Sequence, residues 1–464
     1  MSLLPRLSCV ASSLILAFGL GCLEGLLPET VSASSPPAID ETLVEPPDEE
    51  IIDRSNVIEL ENSPKALVDE VWQLVNHQFV DAEFNQTDWL ATRQSLLERD
   101  YKDEKAAYRA IQQLLKDLND PYTRFLPPDA FAMLTSQTSG EVSGIGIQLV
   151  VDKRSSDLIV ANVLRGTPAM EAGIRPGDRL VRIDGKPTAL MTIEQAMEAL
   201  DGEAGTELSL QFSRYREGSY TVTVARANIE VDSVTYAVKE QGGVRIGYIR
   251  LDEFSSHAAE QMEAAIKELS QENITGFVLD LRGNPGGLLF SSIEIARMWL
   301  DRGEIVFTID RKGGDRHFSA NHSELSQLPL VVLINDRSAS ASEILAGALQ
   351  VHGRATLVGT ETYGKGTVQS VHSLSDKSGL AVTVARYFPP NGEDIDQKGI
   401  SPDIYLNLSM DKQLQLRNDP SLMGTEADPQ YLRAVNVLEQ YQTNFGLPPA
   451  KSLGIRPTEP ILNQ

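Results

Sequence analysis

Cysteine is almost absent from this chain: 464 residues hold only Cys9 and Cys22. Beyond that leading segment there is no thiol for a disulfide framework, a thiolate metal site or a cysteine nucleophile. Histidine is scarce too, six residues with no HExxH and no other ligand spacing, so neither a metal nor another cofactor is expected. Basic charge is in deficit, with 41 Lys and Arg against 65 Asp and Glu and a formal net charge of −24. A surface of that sign repels a phosphate backbone, which argues against nucleic acid as a partner. After the N-terminal segment no apolar run approaches the roughly 18–20 residues of a membrane helix, so membrane association is expected only peripherally or through a substrate.

Residues 1–33 carry Arg6, the apolar stretch Val10 to Leu20, and Val31-Ser-Ala33. This reads as an export signal cleaved after Ala33. Gly19-Leu-Gly-Cys22 is a rival lipoprotein site, although the usual leucine three places before the cysteine is missing. Residues 34–63, rich in Ser, Pro and acid, read as a disordered linker. From 64 to 139 apolar residues recur at helical spacing (Leu67, Val71, Leu74, Val75, then Ile111, Leu114, Leu115, Leu118), which predicts a small helical domain. Residues 140–227 change to short alternating strands with one helix, a compact β-rich module. Over 228–410 strands and helices alternate, predicting an α/β core. Residues 411–464 are polar, with one helix expected near Tyr431 to Tyr441 and then a tail.

Chemistry concentrates in the α/β region. Ser340 lies in Arg337-Ser-Ala-Ser-Ala-Ser-Glu343, directly after the apolar run Leu330 to Asn335, and Lys365 follows 25 residues later between Gly364 and Gly366. A strand that runs through a small-residue turn into a helix sets a hydroxyl at a helix N-terminus, where free N–H groups favour developing negative charge. The bland alternative is capping, which Ser338, Ser340 or Ser342 could each perform. Spacing alone leaves capping and catalysis in balance. Lysine acts as a base only when neutral, which needs burial to depress a pKa of about 10.4, and Leu357, Val358, Tyr363 and Val368 offer apolar surroundings. Gln369, four residues on, could orient the amine without adding charge.

The strand pattern Gly276 to Leu281 runs into Arg282-Gly-Asn-Pro-Gly-Gly-Leu288. Its bare amides suit an oxyanion, with Gly286 and Ala341 as the candidate donors. The turn has neither GxxxxGK[ST] nor GxGxxG spacing, which argues against nucleotide binding; its structural alternative is a tight strand-to-helix connection. A Ser/His/Asp arrangement competes for the base through His352 or His372. His352 reads better as a helix-end residue complementing the dipole.

These residues resemble the carboxyl-terminal processing peptidases, or tail-specific proteases, over roughly residues 65–407. The matching runs are Asp120-Pro-Tyr-Thr-Arg-Phe125, Gly144-Ile-Gly-Ile147, Ala172-Gly-Ile-Arg-Pro-Gly-Asp178, Leu279-Asp-Leu-Arg-Gly-Asn-Pro-Gly-Gly287, Ser338-Ala-Ser-Ala-Ser-Glu343, Gly364-Lys-Gly366 through Gln369, and Gly399-Ile-Ser-Pro-Asp403. The resemblance implies Ser340 as nucleophile, Lys365 as general base and Gln369 as the residue that positions it. It also implies an oxyanion hole of the Gly286 and Ala341 amides, with Glu343 in support. The β-rich module then looks like a PDZ domain whose Gly144, Ile145, Gly146 and Ile147 receive a peptide's terminal carboxylate. Ile147 stands where phenylalanine is more usual, which leaves the amide cradle intact and alters the adjoining pocket. The implied fold is a multidomain α/β protein: helical N-terminal domain, PDZ-like module and serine–lysine protease core.

Asp88-Trp89 and Asp120 to Arg124 look most like the cyanobacterial and plastid type, whose members mature a photosystem II reaction-centre precursor. The expectation is an exported endopeptidase of the periplasm or thylakoid lumen that takes protein substrates by their C-terminal tails. Its rivals are a non-catalytic PDZ scaffold and a general periplasmic quality-control protease.

Overall fold

The computed structural model describes residues 63–152 and 154–445. The export signal, the lipidation alternative at Cys22, nearly all of the linker and the tail beyond 445 lie outside the described residues. The described residues divide into two compact units: those up to Phe131 with Thr308–Arg316 and Thr367–Tyr387, and Ala132–Phe307 with His317–Gly366 and those from Phe388 onward.

In the first unit three helices begin at side-chain caps. Ser63, Asp88 and Asp103 accept from the amides of Ala66, Ala91 and Ala106, starting Pro64–Gln78, Trp89–Glu98 and Glu104–Lys116. Leu67, Val71 and Val75 on the first and Ile111, Leu114 and Leu115 on the third form the apolar stripes that the 3.6-residue period requires. The helices do not close this core alone. Leu374, Leu380 and Val382 complete it from the antiparallel strands Thr367–Ser373 and Gly379–Phe388, and Arg124–Leu126 pairs with Gly379 to Ala381. The helical segment from 64 thus depends on residues more than 250 positions later. Past the turn at Asn119 to Tyr122, a further helix, Pro128–Ser139, carries the chain into the second unit.

The second unit holds the β-rich module and the α/β core. The module's sheet runs in the order Ile147–Val151, Leu158–Val163, Arg179–Ile183, Glu207–Arg214, Gly218–Ala225, with Lys186–Pro187 beside the third strand. Leu208, Leu210 and Phe212 alternate inward, and the helix Ile193–Leu200, started by a Thr192/Gln195 capping box, contributes Ala196 and Leu200 to the same core. Ile147–Val151 is one edge strand of this sheet and Gly218–Ala225 the other. The module joins the rest through Glu141–Gly144 and Ala227–Glu230, which pair with each other as a two-stranded antiparallel ribbon.

The core sheet orders Val234–Gln241, Val244–Leu251, Gly276–Asp280, Leu330–Ile334, Ala355–Gly359 and Ile404–Tyr405. Every pair after the first is parallel. Both central strands, Gly276–Asp280 and Leu330–Ile334, are buried at every residue, as expected where both faces are covered. The helices Ala258–Ser270, Leu289–Trp299 and Ala341–Val351 connect successive parallel strands, so the turns at the strands' carboxyl ends fall together, where open α/β sheets hold their ligands. Pro429–Phe445 packs Tyr431, Ala434, Val435 and Leu438 onto Val278, Val331 and Val358. The closing segment contains a second helix, Met410–Asn418, against the expectation of one. Only Leu416 of that helix is buried, so no apolar period marks it.

Candidate active site

Leu330–Ile334 ends in a turn that reverses into the helix Ala341–Val351, and Ser340 is the hinge residue, with φ 55° and ψ −111°. A side chain in that region of backbone space costs roughly 1–3 kcal/mol and persists only where surrounding bonds impose it. Those bonds are visible on either side. The Ser338 hydroxyl donates to the Leu281 carbonyl at 2.8 Å and the Ser342 hydroxyl to the Asn284 carbonyl at 3.0 Å. The Ala339 amide donates to that same carbonyl at 3.1 Å. Ser338 and Ser342 are thus committed to fastening their turn to the glycine turn. Ala341 begins the helix, and its N–H meets no acceptor among the described residues.

The glycine turn follows Gly276–Asp280. At Gly286, φ is 113°, and a Cβ would sit 2.8 Å from the Ala339 carbonyl oxygen and 3.0 Å from the Ser340 Cβ. Only glycine allows this approach. The Gly286 N–H donates to Asn284 Oδ1 at 2.9 Å, so one of the two expected oxyanion donors is engaged within its own turn. The neighbouring Gly287 amide meets no acceptor among the described residues. Phe254 anchors the turn from the side, its N–H on the Gly286 carbonyl at 2.9 Å and its carbonyl receiving Leu288 N–H at 2.7 Å.

Lys365 is 2% exposed, which meets the burial condition for a neutral lysine. Its turn is joined to Ser340 by one carboxylate. Glu343 Oε2 accepts the Ser340 N–H at 2.7 Å and the Lys365 N–H at 3.0 Å. Oε1 accepts the Gly364 N–H at 2.7 Å and the Thr362 hydroxyl at 2.6 Å. Burial pushes the Glu343 carboxyl above its ordinary range, opposed by the Thr362 hydroxyl and the Lys365, Gly364 and Ser340 amides. Gly364 has φ 85°, and a Cβ there would meet the Lys398 and Gly399 amides at 2.8 Å.

Gln369 belongs to the first unit, at a register shift between Val368 and Gln369. Its Nε2 donates to Thr367 Oγ1 at 2.9 Å and Thr383 Oγ1 at 3.2 Å, while its buried Oε1 meets no hydrogen-bond partner among the described residues. In the β-rich module Ile145 and Ile147 point into the core, and Gly146, at φ 87°, lies so close to Thr167 that a Cβ would come within 2.4 Å of it. Among the described residues no group of three or more His, Cys, Asp or Glu side chains could hold a metal ion. His352 caps the helix end as expected and bonds the Glu304 carbonyl at 2.6 Å.

Sequence reasoning gave no role to Asn284, Thr362 or Arg282. Asn284 stood inside the glycine turn already singled out, and its side chain also ties that turn to the Leu251 carbonyl at 2.9 Å. Arg282 opened that same turn, but its pairing with Asp428, 146 residues on, left no local mark, nor did the bond from Thr362 to Glu343, 19 residues away.

Residues 245–406 match Peptidase family S41, and residues 159–214 match the PDZ domain family. A carboxyl-terminal-processing protease of Picosynechococcus sp. is 41% identical over 374 residues, spanning 80% of this chain and 89% of its own. The chloroplastic C-terminal processing peptidase of Tetradesmus obliquus is 38% identical over 364 residues, spanning 74% and 78%. Among solved structures, the photosystem II D1 C-terminal processing protease is 36% identical, covers 80% of this chain and all of its own, and superposes with a TM-score of 0.50. Tricorn protease, at 17% identity and a TM-score of 0.51 over 83% of this chain and 37% of its own, shares the fold. With relatives at this identity over most of both chains, and with both family matches, the chain belongs to the carboxyl-terminal-processing serine proteases of peptidase family S41.

Proposed function

We propose that Ser340 is the nucleophile and Lys365 its general base in hydrolysis near the C-terminal tail of exported proteins. The observation that carries this reading is the shared carboxylate oxygen of Glu343, which takes the Ser340 and Lys365 amides together. Two residues 25 apart in sequence are thereby held two hydrogen bonds from one another, as a nucleophile and its base require. The strained backbone at Ser340 and the burial of Lys365 support the same assignment.

A substrate tail adds as a strand beside Ile147–Val151, one edge of the PDZ sheet, with its carboxylate on the amides of Gly144 to Ile147. Lys365 then takes the Ser340 hydroxyl proton as the oxygen attacks a peptide carbonyl. The oxyanion falls to the Ala341 and Gly286 amides, and Gly286 must give up Asn284 Oδ1 to serve. Lys365 passes the proton to the leaving amine; its own side chain then takes a proton from water as that oxygen attacks the acyl carbonyl, and gives it to Ser340 Oγ as the ester bond breaks and the acid departs. The part of orienting the Lys365 amine is given to Gln369 by the family resemblance alone.

The substrate class assigned here is protein tails in the periplasm or thylakoid lumen, and the photosystem II D1 precursor is the first to test, since the similar photosystem II D1 C-terminal processing protease is named for it. Incubating the purified protein with that precursor, its C-terminus native or amidated, should give cleavage of the native form and several-fold slower cleavage of the blocked one. Lys365→Ala and, separately, Ser340→Ala with Ser338 and Ser342 intact should each lower kcat by roughly 10³–10⁴-fold with tail binding retained. Turnover surviving either change would sink the dyad.

A further inference from the structure

The glycine turn begins at Arg282, whose guanidinium lies in a buried cluster of charges. On one side Arg282 Nε and Nη2 donate to Asp280 at 2.8 and 2.6 Å. On the other, Nη1 and Nη2 donate to Asp428 at 3.0 and 2.6 Å, and Nη1 also reaches Gln430 Oε1 at 2.9 Å. Asp280 and Asp428 are fully buried and Arg282 is 4% exposed. The remaining oxygen valences are filled: Tyr248 donates its hydroxyl to Asp280 at 2.7 Å, and Asp428 takes the Gly424, Gln430 and Tyr431 amides at 3.2 to 3.3 Å. The charge of Arg282 holds the Asp280 carboxyl below its ordinary range against the upward push of burial.

A buried ion cluster is a poor way to stabilise a fold, since apolar residues of similar size do at least as well. What it does supply is direction, because a planar guanidinium gripped on both edges has one orientation. Here the gripped residue leads straight into the turn that faces Ser340. Leu281 accepts the Ser338 hydroxyl, Gly283 donates to Asn335 Oδ1 at 2.9 Å, and Asn284 accepts from Ala339 and Ser342. Both partners on the far side, Asp428 and Gln430, come from the closing segment, beyond the family match that ends at residue 406.

We propose that Asp428 is a positioning residue for catalysis, clamping Arg282 so that the glycine turn holds its oxyanion-binding amides against the Ser340 turn. The closing segment, on this view, is part of the catalytic apparatus and not an appendage. The inference rests on the dyad and oxyanion assignment above.

Asp428→Asn keeps size and most hydrogen bonds while removing one of the two charges on Arg282. In the full chain it should lower kcat about 10- to 100-fold with KM within about twofold, and Asp428→Glu should recover part of the loss. The apolar triple replacement Asp280→Asn, Arg282→Met, Asp428→Leu should unfold no more easily than the parent in urea yet remain as slow as Asp428→Asn. If the triple variant is stable and fully active, or if Asp428→Asn leaves kcat unchanged, the cluster is structural only and the proposal falls. Ser340→Ala in the same assay separates the two claims: activity in that variant overturns the dyad, whereas its loss beside an unaffected Asp428→Asn overturns the clamp alone.

Discussion

Glu343 and Asp428 are both fully buried carboxylates that fix a turn beside Ser340, and they work by opposite means. Glu343 faces no guanidinium or ammonium group in any hydrogen bond it makes; its two oxygens are saturated by three amides and a hydroxyl from its own and the next turn. Asp428 faces a full positive charge brought by a residue 146 positions earlier. The first device ties nucleophile to base directly, through main chain. The second aims the glycine turn through a side chain, with several bonds between it and the reacting atoms. Distance from the chemistry should therefore set the size of each effect.

That difference is open to attack. Glu343→Gln swaps one acceptor oxygen for an N–H₂ facing two N–H or O–H donors, leaving buried donors unmet at about 1–3 kcal/mol each. Its kcat should fall by roughly 10²–10³-fold, more than Asp428→Asn, with a lower urea midpoint as well. Equal losses in the two variants would erase the distinction. A change in the PDZ module should separate capture from chemistry. Gly146→Val places atoms inside Thr167 at a position with φ 87°, so KM for a tailed protein should rise about tenfold with kcat held. A fall in kcat alone would deny the module its capture role.

The smallest effect is expected at Glu253, just ahead of Phe254, the residue that braces the glycine turn. One of its carboxyl oxygens is buried without a partner, and burial, with the Asp252 charge, pushes its pKa up to about 7. The folded protein thus binds a proton there that the unfolded chain has released above an ordinary carboxyl pKa, so stability should fall as pH rises from about 4.5 to 7 and level off beyond. For a group only partly buried the change is on the order of 1 kcal/mol. Urea unfolding at pH 5 and pH 7.5 should show that slope in the parent and a flatter one in Glu253→Gln. A parallel pair of slopes would remove Glu253 from the account.

Much of the site was legible because its members are close in sequence to signals with a local cause. Ser340 followed an apolar strand and preceded a helix, and Glu343 stood three residues on, where a helix N-terminus takes an acid. The strands and helices of the β-rich module and core announced themselves through periods of 2.0 and 3.6 residues. The helix Met410–Asn418 did not, since a polar helix that buries one leucine has no period to read. Nor did the engagement of Gly286 with Asn284 Oδ1, which depends on a turn's dihedral angles and not on residue type.

The sequence by itself left capping and catalysis at Ser340 in balance from local pattern, and pointed to peptidase chemistry only through the ordered set of motifs it shares with a known family. Only the tertiary structure showed that Ser338 and Ser342 fasten their turn to the glycine turn, since that depends on where the Leu281 and Asn284 carbonyls lie. It alone brought Leu374, Leu380 and Val382 under the N-terminal helices and Asp428 onto Arg282. Contacts across 146 or more than 250 residues leave no mark on local composition, because burial and charge pairing act through space and not along the chain.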